Sequence, residues 1–289
     1  MKEILKKVRK YEIKIRKAIN LNLQGNYNSV FKGTGLDFDD LRPYSYGDDI
    51  RAINWNISAK QNSIYINTYK EEKEQSVFFL IDVSKSQEIG NKKINKINIT
   101  KEICSVLTLS AIRENNQVGL LCYSDIKEKY IKPSKGITHG YLIIKSLYDL
   151  KTKSNKTDLN KLINYSMNTI KKKSIIILIS DFLDKDYMKN LISMSKKHDL
   201  ILIQIFDNQE KKSSNLGIIP IRENESNTNI WINSSSKYFQ KTLDRTFEGN
   251  EKKIKNESKK NGINYLKVNT NQDYIPSLIK LFKTRNKYN

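Results

Sequence analysis

Asp82, Ser84 and Ser86 stand in the string DVSKS, directly after the apolar run Val77–Ile81, and Asp181 closes a second such run, SIIILISD at 174–181. One carboxylate alternating with two hydroxyls just past a strand suits a hard divalent cation, Mg²⁺ or Mn²⁺, which takes oxygen ligands and keeps waters. Thr157, placed to open a helix after a loop, offers a further hydroxyl, and Asp181 a direct or water-mediated carboxylate. The chemistry read from this set is therefore metal binding by Asp82, Ser84, Ser86, Thr157 and Asp181. Structural roles for the same residues are turn and cap positions for Ser84 and Ser86, an N-cap for Thr157, and loop-amide acceptors for the two acids.

No partner for acid–base or nucleophilic catalysis accompanies the set. The two histidines, His139 and His198, fall elsewhere, and His198 precedes a strand, at the wrong end of the sheet. No Ser–His–Asp arrangement, nucleotide loop or dinucleotide fingerprint is present. A cation with a vacant position and no base is better suited to gripping a partner's carboxylate than to hydrolysis. A metal-dependent hydrolase using Asp82 and Asp181 is the rival reading.

A second dense cluster lies upstream. Gly35–Lys60, GLDFDDLRPYSYGDDIRAINWNISAK, gathers Asp37, Asp39, Asp40, Arg42, Tyr44, Gly47, Asp48, Asp49, Arg51 and Trp55 in 26 positions. Bidentate arginine–carboxylate pairs fix geometry as well as charge. Pro43 and Gly47 predict turns at either end of YSYG, and Trp55 is a large apolar anchor. The segment reads as an internal latch or as a docking surface. A pair of catalytic acids, Asp48 and Asp49, is the third option.

The elements that position these residues follow from periodicity. Apolar runs without alternation predict strands covered on both faces at 75–82, 118–123, 174–181 and 200–206. Helical spacing predicts helices over 95–114, 139–150, 185–197, 236–260 and 272–284, and one beginning at Thr157, with a last strand at 263–268. Residues 125–132 follow the second strand by a turn too short for a crossover, so they must run antiparallel to it. A short hairpin is expected at 218–221 and 228–232. The alternation is that of a doubly wound α/β sheet, whose ligand crevice lies beyond the carboxyl ends of the strands. Asp82 and Asp181 both fall at that edge. Residues 3–23 form an amphipathic helix through Ile4, Val8, Tyr11, Ile15 and Ile19, and residues 64–70 a strand. The division expected is 1–72 for the N-terminal segment and 73–289 for the sheet domain.

Composition narrows the class. Lys and Arg number 52 against 31 acids, for a net charge of +21, and mean hydropathy is −0.62. The lysines are spread through a chain rich in Asn and Ile, without the interleaved aromatics of a single-strand platform, so specific nucleic-acid binding is not expected. A basic nucleic-acid or anionic-membrane binder stands as a third functional class. No apolar run is long enough to span a membrane. Cys104 and Cys122 lie in apolar contexts and read as buried thiols of a reducing compartment, which makes the cytoplasm the expected location.

Strand–DxSxS, a distant threonine and a later strand–aspartate resemble a von Willebrand factor A domain with its metal-ion-dependent adhesion site. GLDFDDLRPYSYGDDIRAINWNISAK resembles the signature of the DUF58 family, and the likeness runs from about Phe31 to near the C-terminus, including SDFLD at 180–184. The resemblance implies a Rossmann-like sheet of six strands with one antiparallel edge strand, preceded by an N-terminal helical and extended segment. It implies Asp82, Ser84, Ser86, Thr157 and Asp181 as the adhesion-site ligands, with Lys85 an unusual cation between the serines. It also implies association with MoxR-type AAA+ ATPases and with membrane-anchored von Willebrand A-like proteins, through which the chain would reach a membrane. Family members often carry transmembrane helices before the signature. The function expected on these grounds is a non-enzymatic adaptor that grips a partner through the crevice metal.

Overall fold

The computed structural model describes residues 2–20, 36–61, 63–71, 76–88, 90–91, 94–208, 218–222, 229–233 and 236–288. Its centre is a six-stranded sheet built from β3 (Ser76–Asp82), β6 (Gln117–Tyr123), β7 (Lys127–Ser134), β8 (Ile175–Ser180), β9 (Asp199–Phe206) and β12 (Asn264–Asn269), in the order β12-β9-β8-β3-β6-β7. Five strands are parallel; β7 alone is antiparallel, against β6. This is a doubly wound, Rossmann-like sheet with one antiparallel edge strand, the topology expected from the resemblance to a von Willebrand factor A domain.

The unbroken apolar runs are explained by burial on both faces. Along β3, Val77, Phe79 and Ile81 enter one core with α3 (Lys96–Arg113), α4 (Ile137–Tyr148) and the C-terminal helix. Phe78 and Leu80 enter the other, with α5 (Leu159–Thr169) and α6 (Met188–Lys197). Each residue thus removes its apolar surface from water, at about 25 cal/mol per Å², on whichever side it points. Gly119 of β6 stands opposite Phe78 of β3, and a Cβ there would lie 2.6 Å from the Phe78 ring, so only glycine admits that packing. Cys104 and Cys122 are free and buried in the first core, and burial pushes the Cys122 thiol up to about 12.

The N-terminal helix α1 (Lys2–Asn20) packs on α3 and on the C-terminal helix α8 (Ile275–Tyr288). Val8 is buried against the first core, and Tyr11 meets Tyr274 edge-on at 6.1 Å. Lys7 pairs with Glu102, and Arg113 Nε reaches the buried Glu12 at 3.6 Å. The amphipathic pattern therefore serves internal docking along this stretch. The side chains of Ile4, Ile15 and Ile19 lie outside the described residues.

Among the described residues, three two-stranded pairs accompany the sheet. β1 (Leu36–Pro43) and β2 (Tyr65–Glu71) form an antiparallel ribbon with α2 (Trp55–Gln61) between them. The two-residue strands β4 (Gly90–Asn91) and β5 (Ile94–Asn95) lead into α3. The expected hairpin is β10 (Ile218–Arg222) with β11 (Asn229–Asn233); its turn lies outside the described residues. The long helix α7 spans Lys237–Lys260, and Gly262, at φ +66°, turns the chain into β12. The strand expected at 125–132 is β7, beginning two residues later, because Ser124 and Ile126 close a turn first.

Candidate functional site

The carboxyl ends of β3 and β8 deliver Asp82 and Asp181 to one crevice, where both are buried. Asp82 is fully committed to the protein. The Ser84 amide donates to Oδ1 (3.0 Å), while the Ser180 hydroxyl (2.7 Å) and the Gln87 amide nitrogen (3.2 Å) donate to Oδ2. Burial, then repulsion by Asp181, raises the Asp82 carboxyl to about 6. Ser84 and Ser86 lie with their hydroxyls 3.1 Å apart, sharing one hydrogen bond.

Asp181 is occupied by a cation that the motif does not contain. Lys96 Nζ lies 2.8 Å from Asp181 Oδ2, with the two side chains 0% and 3% exposed. Lys96 is the first residue of α3, where the helix dipole alone would disfavour an ammonium; the buried carboxylate offsets that cost. Asn95 caps the same helix by accepting from the Asn98 amide (2.9 Å).

These contacts overturn the metal expectation. A divalent cation at Asp82 and Asp181 would face the Lys96 ammonium within the same buried space, and among the described residues no group of three or more His, Cys, Asp or Glu is placed to hold a metal ion. The crevice is neither a Mg²⁺ or Mn²⁺ site nor an adhesion site of the metal-dependent kind, and a metal-dependent hydrolase at Asp82 and Asp181 falls with it. Lys85 is exposed, so the cation that matters is Lys96. Thr157 does not cap α5. Asp158 does, accepting from the Lys161 amide (2.8 Å), and Asp184 takes the Leu159 amide (2.7 Å). Thr157 is left half-buried in the preceding loop, which meets the serine turn through the Lys85 amide and the Asn155 carbonyl (3.3 Å).

The loop after Asp181 is held in an unusual backbone. Phe182 is fully buried at φ +55°, a left-handed conformation that bulky residues avoid. Its amide donates to the Ser180 hydroxyl (3.1 Å), and its carbonyl accepts from Asn250 (3.0 Å) and Tyr187 (3.3 Å). Gln204 fixes the Asp181 carbonyl (2.9 Å). Strands, helices and loops at this edge are thus cross-linked by groups outside the five expected ligands: Lys96, Gln87, Ser180 and Asp184. Ser180 and Asp184 both lie in the SDFLD string at 180–184, the serine ending an otherwise apolar strand, whereas Lys96 and Gln87 carry no such signal in the sequence.

The second cluster forms a compact module. Arg42 holds Asp48 bidentately (2.8 and 2.7 Å), and the Ser45 amide donates to Asp48 (2.9 Å). The Arg42 hydrogen bonds hold the Asp48 carboxyl below the usual range. Gly47, at φ +106°, makes the intervening turn. Asp49 accepts from the Arg51 amide (2.9 Å) and caps the short turn Ile50–Ala52. Asp48 and Asp49 are therefore bound to different partners, not paired as acids. Asn54 ties the module together: its amide donates to the Tyr65 carbonyl (2.9 Å), its side chain to Asn67 (3.0 Å), and its Oδ1 accepts from Ile57 (3.2 Å) at the start of α2. Tyr44 is half-buried, and its amide donates to the Ile64 carbonyl (2.8 Å). Asp37, Asp39 and Asp40 lie on β1, with a bulge between Phe38 and Asp40; their side chains are outside the described residues. Against this bracing, Tyr46 is fully exposed, Trp55 is 65% exposed, and Ile50 and Ile64 are also exposed.

Residues 40–253 match the family described as protein of unknown function DUF58. The chain belongs to the DUF58 family. This DUF58 protein is 19% identical over 222 residues to the uncharacterized protein Rv1480 of Mycobacterium tuberculosis, covering 76% of this chain and 70% of that one. Among solved structures it is similar to the conserved hypothetical protein BatB from Bacteroides thetaiotaomicron, with TM-score 0.48, 14% identity and coverage of 74% of this chain and 99% of that one. It is also similar to the SpRpn10 VWA domain, with TM-score 0.41, 13% identity and coverage of 72% and 93%. Among the described residues of the DUF58 chain, no helix is long and apolar enough to cross a membrane.

Proposed function

We propose that this DUF58 protein is a non-enzymatic docking protein that engages a protein partner through the module Leu36–Glu71. The observation that carries the reading is the exposure of Tyr46, Ile50, Trp55 and Ile64 on a segment whose backbone is cross-braced by Arg42, Asp48 and Asn54. Exposed apolar side chains gathered in one short segment favour an interaction surface, as scattered ones do not, and tyrosine and tryptophan are among the commonest anchors of binding energy. A braced frame reduces the entropy lost on docking. In this reading residues 1–72 carry the docking function and 73–289 the scaffold.

The partner proposed is a MoxR-type AAA+ ATPase, from the family's association with such enzymes, and the place of action is the cytoplasm. The ATPase supplies the energy and the DUF58 chain supplies recognition. Titration of the purified ATPase of the same organism with the wild-type chain and with Trp55→Ala or Tyr46→Ala tests this. Each variant is expected to weaken binding by about tenfold or more with an unchanged circular dichroism spectrum. Equal affinity for wild type and both variants would sink the reading.

A further inference from the structure

A second surface lies along the open edge of the sheet, at its end strand β7. β7 is the end strand, so one row of its backbone N–H and C=O groups faces outward from the sheet. Beside it runs a trough of about 720 Å³, between β7 and the outer face of α4. Its apolar floor includes Tyr141, Leu142 and Leu150, with Leu142 50% exposed. Arg9 of α1 stacks over the Tyr141 ring at 5.5 Å, which fixes that side chain at the end of the trough.

The charges of the trough select its occupant. Glu128 is turned to its own chain: its carboxylate accepts from the Lys153 amide (3.0 and 3.1 Å), the Ser154 amide (3.1 Å) and the Ser124 hydroxyl (2.9 Å). That leaves Lys129, Lys145 and Lys151 against Asp149. Lys127, Lys129 and Lys132 are exposed along the strand itself. Lysines on an edge strand oppose pairing with a like-charged strand, so a second copy of this chain, at +21, is repelled. An extended acidic segment is attracted by the same charges.

We propose that β7 and the α4 trough form a strand-addition site for an extended, acidic peptide segment of a partner protein. Backbone hydrogen bonds to β7 supply affinity, as in other sheet-edge recognition. Alternate apolar side chains enter the trough over Leu142, and acidic side chains meet Lys129, Lys145 and Lys151. Pro133, which has no N–H, ends the pairing. The site is independent of the docking module proposed above.

The test is fluorescence anisotropy with a labelled synthetic peptide alternating glutamate and valine, combined with amide hydrogen exchange. The peptide is expected to bind, to protect amides within Lys127–Lys132, and to lose affinity by more than about tenfold in the surface variant Lys129→Glu/Lys145→Glu. A version with prolines at alternate positions, lacking the backbone donors, is expected not to bind. The proposal is overturned by binding that survives the charge reversal, by a proline version that binds equally, or by protection elsewhere. An oligothymidine that binds as tightly and protects the same amides would assign the trough to nucleic acid and overturn it as well.

Discussion

Lys96 Nζ lies 2.8 Å from Asp181 Oδ2, and both side chains are closed off from water. Asp181 comes from the end of a central strand and Lys96 from the first turn of a helix 85 residues earlier. The pair joins the two at the edge where the family's resemblance implied a bound cation, and the ammonium occupies that electrostatic role.

Removing one partner of such a pair leaves a buried, uncompensated charge, at a cost of about 3–5 kcal/mol, whereas replacing both by apolar side chains is often close to neutral. Lys96→Met is therefore expected to lower unfolding free energy by about that amount, and Lys96→Met/Asp181→Leu to recover most of it. Urea denaturation of the two single variants and the double variant gives the coupling directly. Additive losses would show that the pair does not hold the crevice.

The Asp82 carboxyl, raised to about 6 from an ordinary 3.8, makes a pH prediction of definite sign. The folded chain binds this proton more tightly than the unfolded one, so the contribution is fully present below about pH 4 and is lost as pH rises to about 6. The loss is on the order of 2–3 kcal/mol. In Asp82→Asn it is absent. The difference in stability between variant and wild type is expected to move toward the variant across that window and then level off. A difference that is flat with pH would contradict the burial and repulsion assigned to Asp82.

A cation that bound the folded chain at a hundred times its Kd would add about 2.7 kcal/mol, several degrees in Tm. Millimolar Mg²⁺, Mn²⁺ or EDTA is instead expected to leave the Tm of the wild-type protein within about 1 °C of its starting value. Differential scanning calorimetry in the three conditions measures this, and a rise of several degrees with either metal would restore a cation to the crevice.

The inner strands β3, β6, β8 and β9 were readable from the sequence because they are buried on both faces and so carry few polar residues, whereas the edge strands β7 and β12 were placed by the short turn before the one and Gly262 before the other. The same reasoning placed Asp82 and Asp181 at one edge. It failed at their partner. Lys96 lies in a stretch of alternating Lys, Asn and Ile, where a buried ammonium looks like any surface lysine, and only the fold brings it to Asp181. Thr157 and Asp158 are adjacent and both are good caps; the choice of Asp158 depends on Asp184 taking the Leu159 amide, a contact 25 residues away. In the signature segment, the Arg42–Asp48 pair spans a turn whose geometry Gly47 determines, and Asn54, which ties together the ribbon and α2, carries no motif that would single it out.

Gly47→Ala isolates that turn. At φ +106° the substitution is strained, although a Cβ there meets nothing within 4 Å, so the cost is conformational alone, about 1 kcal/mol or more. The Asp48 and Ala52 amides, which donate to Ser45 and Asp49, are expected to exchange about tenfold faster in the variant while the central strands are unchanged. Unchanged exchange would mean that Gly47 does not set the module's frame.

The central claim is that the DUF58 chain meets its partner through the braced signature module and not through the crevice. Hydrogen exchange of the chain with and without the proposed MoxR-type ATPase tests it most directly. The account predicts protection concentrated in residues 44–64, with the crevice loops 83–88, 153–158 and 181–187 exchanging as in the free protein. Protection of those loops with residues 44–64 unchanged would contradict it.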